Sequence, residues 1–231
     1  MWAKWLQVIA EVLIGYSLFV IGQYFYSYKK ADQDTEQIIE QRELQSLAQL
    51  SKQYTEMVGW IKIDGTRLNQ PIMQSKNNDF YLTHNYKGEE ARTGAIFMDY
   101  RNDAALLGRN TILYGHVLRT GSMFGDLPKY ENEQYAKQHE IIQLELLNET
   151  VTLQVFAAYK TTTEDPYLMT EFTDASFVQY IQSAKDKSAW LNEMTFTPAD
   201  QLITLSTCTT SLNDEERFVV HAKVVERIEK K

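Results

Sequence analysis

The chain contains one cysteine, so no disulfide can form within it and no thiolate cage for zinc can be assembled. It has no Lys- or Arg-rich run, and its formal net charge is -8. An acidic chain without a basic patch is not a nucleic-acid binder, because affinity for phosphates depends on clustered Lys and Arg. Internal repeats, low-complexity tracts and clustered metal-ligand motifs are also missing, so the sequence calls for no metal and no cofactor. What is present is a globular composition over 231 residues, enough for one domain plus a short appendage.

The appendage comes first. From Trp5 to Tyr26 the chain is mostly apolar and long enough to span a bilayer as a helix. Trp2 and Trp5 stand at one end, and Tyr24, Phe25, Tyr26 and Tyr28 at the other, as expected of two membrane interfaces. Glu11 lies inside this run, where a carboxylate is costly unless neutral or paired. Lys4 on one side and Lys29 and Lys30 on the other leave the orientation open on charge alone. Residues 1–29 are therefore expected to be an uncleaved membrane anchor. Residues 30–57 are polar, free of Gly and Pro, and carry Ile38, Ile39, Leu44, Leu47 and Leu50 at helical spacing. They predict one long lead helix, packed on the domain or serving as a stalk.

Residues 58–231 read differently. Short β-type runs alternate with turn residues: 58–63, 67–73, 94–99, 110–116, 140–147, 150–160, 201–208 and 217–225. Eight such runs with few long helices predict a mainly β barrel or sandwich with flanking helices. Helical interruptions are expected near Asn78–His84, Met123–Gln138 and Asp174–Ser188.

The lone cysteine needs its context, since an isolated Cys is most often a small buried hydrophobe. In QLITLSTC, Ile203 and Leu205 share one face of the strand, and Thr204, Ser206 and Cys208 the other. Cys208 is thus expected on the polar face at a strand end, a place for a nucleophile on a rigid element. A thiol of ordinary pKa, about 8.5, needs a nearby imidazole or guanidinium to act as thiolate at neutral pH. His116 closes the run NTILYGH, where a sheet rim can face a groove. His221 in RFVVHAKVV is its rival, while His84 and His139 read as surface residues. Strand ends favour His116 without excluding His221. Arg217 opens the run that follows Cys208, and a hairpin over 201–225 returns it past the cysteine. Its guanidinium offers directed donors to an oxyanion or carbonyl. The competing reading is a surface ion pair with Glu215 or Glu216.

TLSTC (204–208), the arginine opening RFVVHAKVV, NTILYGHVLRTGSMFGDL (110–127), VGWIKIDGTRLNQPIMQ (58–74), NNDFYL (77–82) and GAIFMDYRN (94–102) together closely resemble class B sortases. The resemblance runs in order from Val58 to the C-terminus. It implies the eight-stranded sortase β-barrel, with an N-terminal helix and a helix inserted between the sixth and seventh strands, here Asp174–Ser188. It also selects His116 over His221. By this resemblance the chain is a cysteine transpeptidase of Gram-positive bacteria with Cys208, His116 and Arg217 as its catalytic residues. Its partners would be surface proteins bearing a C-terminal sorting signal, cleaved after Thr, and an amine on lipid II or another cell-wall precursor. It would be a single-pass membrane protein with its catalytic domain outside. Asn78, Leu82, Tyr114, Thr163, Tyr167, Ser206 and Thr207 match positions that bind the peptide or flank its groove, with backbone at Thr207 and Cys208 helping to form the oxyanion hole. Val117 stands where many relatives have Asn, and Thr209 where many have an acidic residue. Two alternatives are a pilin-polymerising sortase with a Lys acceptor and a catalytically silent membrane-attached barrel.

Overall fold

The computed structural model describes residues 2–106, 108–190, 193–208 and 215–230, with Cys208 as a backbone position. Among the described residues eight strands close into a barrel in the order β1-β2-β3-β4-β7-β8-β6-β5. They are β1 (Met57–Lys62), β2 (Asn69–Met73), β3 (Ile96–Met98), β4 (Asn110–His116), β5 (Ile141–Leu146), β6 (Glu149–Thr162), β7 (Leu202–Cys208) and β8 (Glu216–Glu229). Two neighbouring pairs are parallel, β2–β3 and β4–β7. A parallel pair needs a long crossover, and these two crossovers carry most of the non-barrel chain. The first holds a 3-10 turn at Phe80–Leu82; the second holds β5, β6, α3 (Glu133–Gln138) and α4 (Asp174–Lys187).

The barrel interior is aliphatic. Ile61, Leu113, Leu144, Val151, Leu153, Ile203, Leu205, Val220 and Ala222 are all buried there with Phe124 and Tyr130. Burial of each Ile, Leu, Val or Phe side chain among them is worth about 1.5–3 kcal/mol. Strand alternation turns the opposite faces outward, but these faces are covered too. Phe156, Tyr159, Leu202 and Val219 lie under Phe177, Tyr180 and Ile181 of α4. Thr173 caps α4 in a reciprocal capping box with Ser176. Leu202 shares its face with Thr204 and Ser206, so the polar side of β7 is not a solvent side: both hydroxyl residues are buried. The inserted helix covers them, and their hydrogen bonds are made internally.

On another wall, Ile38, Leu47 and Leu50 pack against Met57, Trp60, Phe97, Ile112 and Tyr114. Here the N-terminal region meets the barrel. α1 runs without interruption over Trp2–Leu44, so the apolar run and most of the lead segment form one helix. The lead is not one helix throughout. It breaks at Gln45, and Ser46 forms a capping box with Gln49 that starts α2 (Leu47–Gln53). The break lets Leu47 and Leu50 turn into the core. The C-terminal part of α1 is tied to the barrel by Lys30–Glu89, Lys87–Asp34 and Arg42–Glu145 ion pairs. Its N-terminal part stands free of the barrel, with Trp5, Phe19 and Tyr26 more than 60% exposed.

Candidate active site

β4 and β7 end together. Their parallel register runs from Asn110↔Leu202 through Tyr114↔Ser206 to His116↔Cys208. The last pair puts the two positions on adjacent strands, about 4.8 Å apart as strands in a sheet are spaced. Antiparallel β8 lies on the other side of β7, with Leu205 opposite Val220 and Ser206 opposite Val219. The paired register ends at Ser206↔Val219, two residues short of Cys208 and Arg217. Phe218 N–H donates to the Thr207 Oγ1 at 2.8 Å, which holds the two chains together at this end. Arg217 is half-buried, pairs with Thr161 across β6, and donates from Nη1 to the Glu216 carbonyl at 2.9 Å.

The imidazole of His116 is held from one side. Its Nε2 lies 2.8 Å from the Leu82 carbonyl oxygen. A carbonyl can only accept, so Nε2 carries a proton and Nδ1 is the nitrogen left to gain or lose one. Nδ1 is buried and has no hydrogen-bond partner among the described residues. The carbonyl is delivered by the 80–82 turn, whose start is tied by Asn77 Oδ1 accepting from Asp79 N–H and Phe80 N–H. Gly94 makes the approach possible. It has φ +58°, and a Cβ there would meet the Tyr81 and Leu82 carbonyls and His116 Cδ2 at 3.1 Å. Gly115 has an equivalent duty on the inner face, where a Cβ would meet the Phe124 ring at 2.9 Å.

Beside His116 a buried carboxylate organises the neighbouring loops. Asp99 accepts from Arg101 Nε at 2.9 Å and Nη2 at 2.8 Å, from the Tyr114 hydroxyl at 2.9 Å, and from Asn78 Nδ2 at 3.0 Å. Burial pushes its carboxyl pKa up, but the Arg101 bonds outweigh that and hold it below the usual range. Asn78 Oδ1 accepts from Tyr100 N–H, and Arg101 also reaches the Leu168 carbonyl. Asn78 and Tyr114 are thus brought together with Leu82 and His116 in one region. Asp99 and Arg101 do not stand out in the sequence as site residues; the available signal is an acidic residue closing the apolar run GAIFM two residues before an arginine.

Residues 61–225 match the Sortase domain. Sortase B of Listeria monocytogenes serovar 1/2a is 43% identical over 185 residues, covering 79% of this chain and 74% of its own length. Sortase B of Staphylococcus aureus is 35% identical over 232 residues, covering 95% and 94%. The solved Staphylococcus aureus sortase B–substrate complex superposes with a TM-score of 0.75 at 36% identity, covering 86% of this chain and 94% of that one. The chain belongs to the class B sortases. It is an enzyme of their kind, a cysteine transpeptidase.

In this sortase the segment between β6 and β7 is joined to the end of β7 by hydroxyls. The Tyr167 hydroxyl lies 3.1 Å from Ser206 Oγ, and the Tyr180 hydroxyl donates to the Tyr167 carbonyl at 2.6 Å. Tyr180 also reaches Thr204 Oγ1 at 3.3 Å, which donates to Asn110 Oδ1 at 2.7 Å. Tyr167, Ser206 and Thr207 are buried, whereas Thr163 is exposed. His221 sits 2.9 Å from Thr204 Oγ1 and 2.9 Å from the Tyr159 hydroxyl, on the α4 side of the barrel wall. His84 stacks on Phe80 and His139 contacts the Asp64 carbonyl. Val117 forms an isolated bridge with Met123 beyond the end of β4. Thr209 lies outside the described residues.

Proposed function

We propose that Cys208 is the nucleophile of this sortase, with His116 as its proton-transfer partner and Arg217 as the group that holds the substrate carbonyl and the oxyanion. The His116↔Cys208 pairing at the strand ends carries this reading. The Cys208 thiolate attacks the carbonyl carbon of the threonine in a C-terminal sorting signal. The tetrahedral intermediate collapses with cleavage of the C–N bond, and the leaving amine takes a proton from imidazolium Nδ1. The resulting thioester is attacked by an acceptor amine, which gives a proton back to Nδ1 as the thiolate leaves. Two acyl transfers of this kind replace one difficult displacement. Backbone N–H groups near Thr207 and Cys208 contribute to the oxyanion hole.

Leu82, Tyr114 and Asn78 border the peptide groove, and Thr163 and Tyr167 belong to the segment before α4, which contacts the sorting signal. The acceptor is an amine on a peptidoglycan precursor such as lipid II, so the enzyme anchors surface proteins to the cell wall; a pilin lysine is the alternative. Residues 1–29 anchor the chain in the membrane as a single span, 30–57 lead from it, and 58–231 form the catalytic domain outside. The exposed apolar stretch of α1 supports the anchor.

The test is a fluorogenic sorting peptide incubated with and without a glycine or diamine acceptor. A thioester trapped on Cys208 and detected by mass spectrometry supports the reading. Acyl transfer retained by Cys208→Ala excludes it.

A further inference from the structure

Three consecutive carbonyls of the segment before α4 are each held by a side chain from elsewhere in the fold. The Tyr167 carbonyl accepts from the Tyr180 hydroxyl at 2.6 Å, Leu168 from Arg101 Nη2 at 3.2 Å, and Met169 from Asn110 Nδ2 at 2.8 Å. Tyr180 and Asn110 also bond each other, at 3.2 Å, within the contact between α4 and the barrel. Arg101 comes from the loop after β3 instead, and its fork is bound to Asp99 through Nε and Nη2. Asp99 is fully buried and also accepts from Asn78 Nδ2 and the Tyr114 hydroxyl. An ionised carboxylate only accepts, so each of these donors is fixed in direction as well as distance. One ion pair thus joins the 78–82 segment to the 167–169 segment. Leu82 of the first and Leu168 of the second both pack on the apolar cluster that contains Tyr114.

Strand geometry sets where this pair acts. Tyr114 lies two residues before His116 on the same face of β4, so the two stand about 7 Å apart along the strand. An extended peptide advances at the same rate, so the Asp99 network faces it roughly two residues from the reacting carbonyl. The acyl part of the peptide stays bound through both transfers, while the leaving amine departs and the acceptor enters. A region with both walls at a fixed spacing suits the part that stays. We propose that Asp99 and Arg101 are positioning residues for the acyl part of the sorting peptide, holding the 78–82 and 167–169 segments at one spacing. Neither bonds to His116, whose Nε2 is taken by the Leu82 carbonyl and whose Nδ1 has no partner among the described residues. Their effect therefore reaches the reaction through the fit of the peptide and not through proton transfer. The inference rests on the reading of Leu82, Tyr114 and Tyr167 as groove residues.

The experiment uses the full chain in detergent micelles and compares two substrates. One is the fluorogenic sorting peptide; the other is an activated ester of N-acetylthreonine, which has the reacting carbonyl and nothing before it. Arg101→Gln should raise KM for the peptide about tenfold and leave kcat within about twofold. Its kcat/KM for the short ester should equal that of the unaltered chain, and so should the rate at which iodoacetamide alkylates Cys208. Arg101→Gln strands a buried carboxylate, so the double variant Asp99→Asn with Arg101→Gln is measured beside it, because it removes both charges together. The double variant should show the same split, with thermal unfolding as the folding control. Equal impairment of peptide and short ester in a folded variant would make the pair a fold element only and overturn the proposal. An unaltered KM for the peptide would overturn it too. Leu82→Ala and Tyr114→Phe separate it from the reading beneath it. If they raise KM and the Arg101 variants do not, the proposal alone fails; if they leave KM unaltered, the groove reading fails and the proposal with it.

Discussion

His116 and Cys208 are register partners at the last step of the parallel β4–β7 pair. Sheet hydrogen bonding therefore sets their separation, not a mobile loop, and catalytic groups need such fixed placement. Cys208→Ala is expected to lower peptide cleavage by roughly three orders of magnitude or more while leaving thermal unfolding near that of the unaltered chain. His116→Ala should give a similar loss. A fluorogenic peptide assay beside a melting curve checks both, and a folded Cys208→Ala enzyme with full activity would refute the assignment.

Gly94 is expected to control His116 without touching the substrate. Any Cβ at φ +58° is strained, and here it would also press on the Leu82 carbonyl that fixes the imidazole. Gly94→Ala should cost about 1–3 kcal/mol of stability. It should also lower kcat more than KM and change the pH profile of kcat/KM, because the ring loses its anchored tautomer. A melting shift with an unaltered pH profile would make Gly94 a folding residue only.

Much of this was legible in the sequence, for reasons that differ by element. NTILYGH and QLITLSTC are continuous, bounded runs, and their observed ends, Asn110–His116 and Leu202–Cys208, fall within a residue of the expected ones. Parity correctly separates Ile203 and Leu205 from Thr204 and Ser206, but it cannot reveal that α4 covers the second face. That cover comes from a segment some twenty residues away along the chain. Gly94 and Asp99 were not legible as site residues, because their roles arise from contacts with the 78–82 segment and Tyr114, which only the closed barrel creates. The uninterrupted α1 was half-legible: composition marks two segments, while backbone geometry makes one helix.

The Tyr167–Ser206 hydroxyl pair is expected to transmit the position of the β6–β7 segment to the end of β7. Tyr167→Phe removes the buried hydroxyl contact with Ser206 and keeps the ring, so the stability cost should be about 1 kcal/mol or more. If the segment contacts the sorting peptide, KM should rise several-fold more than kcat falls. Comparing Tyr167→Phe with Ser206→Ala in a double-mutant cycle checks the coupling. Strictly additive effects on kcat/KM would show that the two side chains act independently and that the pair transmits nothing to the end of β7.

His221 predicts the acid limb of stability. It is fully buried between Thr204 and Tyr159, and burial pushes its pKa down from 6.5 to about 3. Asp165 acts to raise it and Lys187 to lower it, and burial dominates both. The unfolded chain takes up a proton here below pH 6.5, and the folded chain does not until about pH 3. The contribution of this site is therefore fully present above pH 6.5 and is lost as pH falls from 6.5 towards 3, at about 1.4 kcal/mol per pH unit. His221→Gln keeps hydrogen-bonding atoms but cannot charge. It should be less stable than the unaltered chain at pH 7, through imperfect contacts with Thr204 and Tyr159, and should lose less on acidification. Urea unfolding at pH 7 and pH 4.5 measures both. Parallel losses in the two proteins would mean that other groups, not His221, set the acid sensitivity.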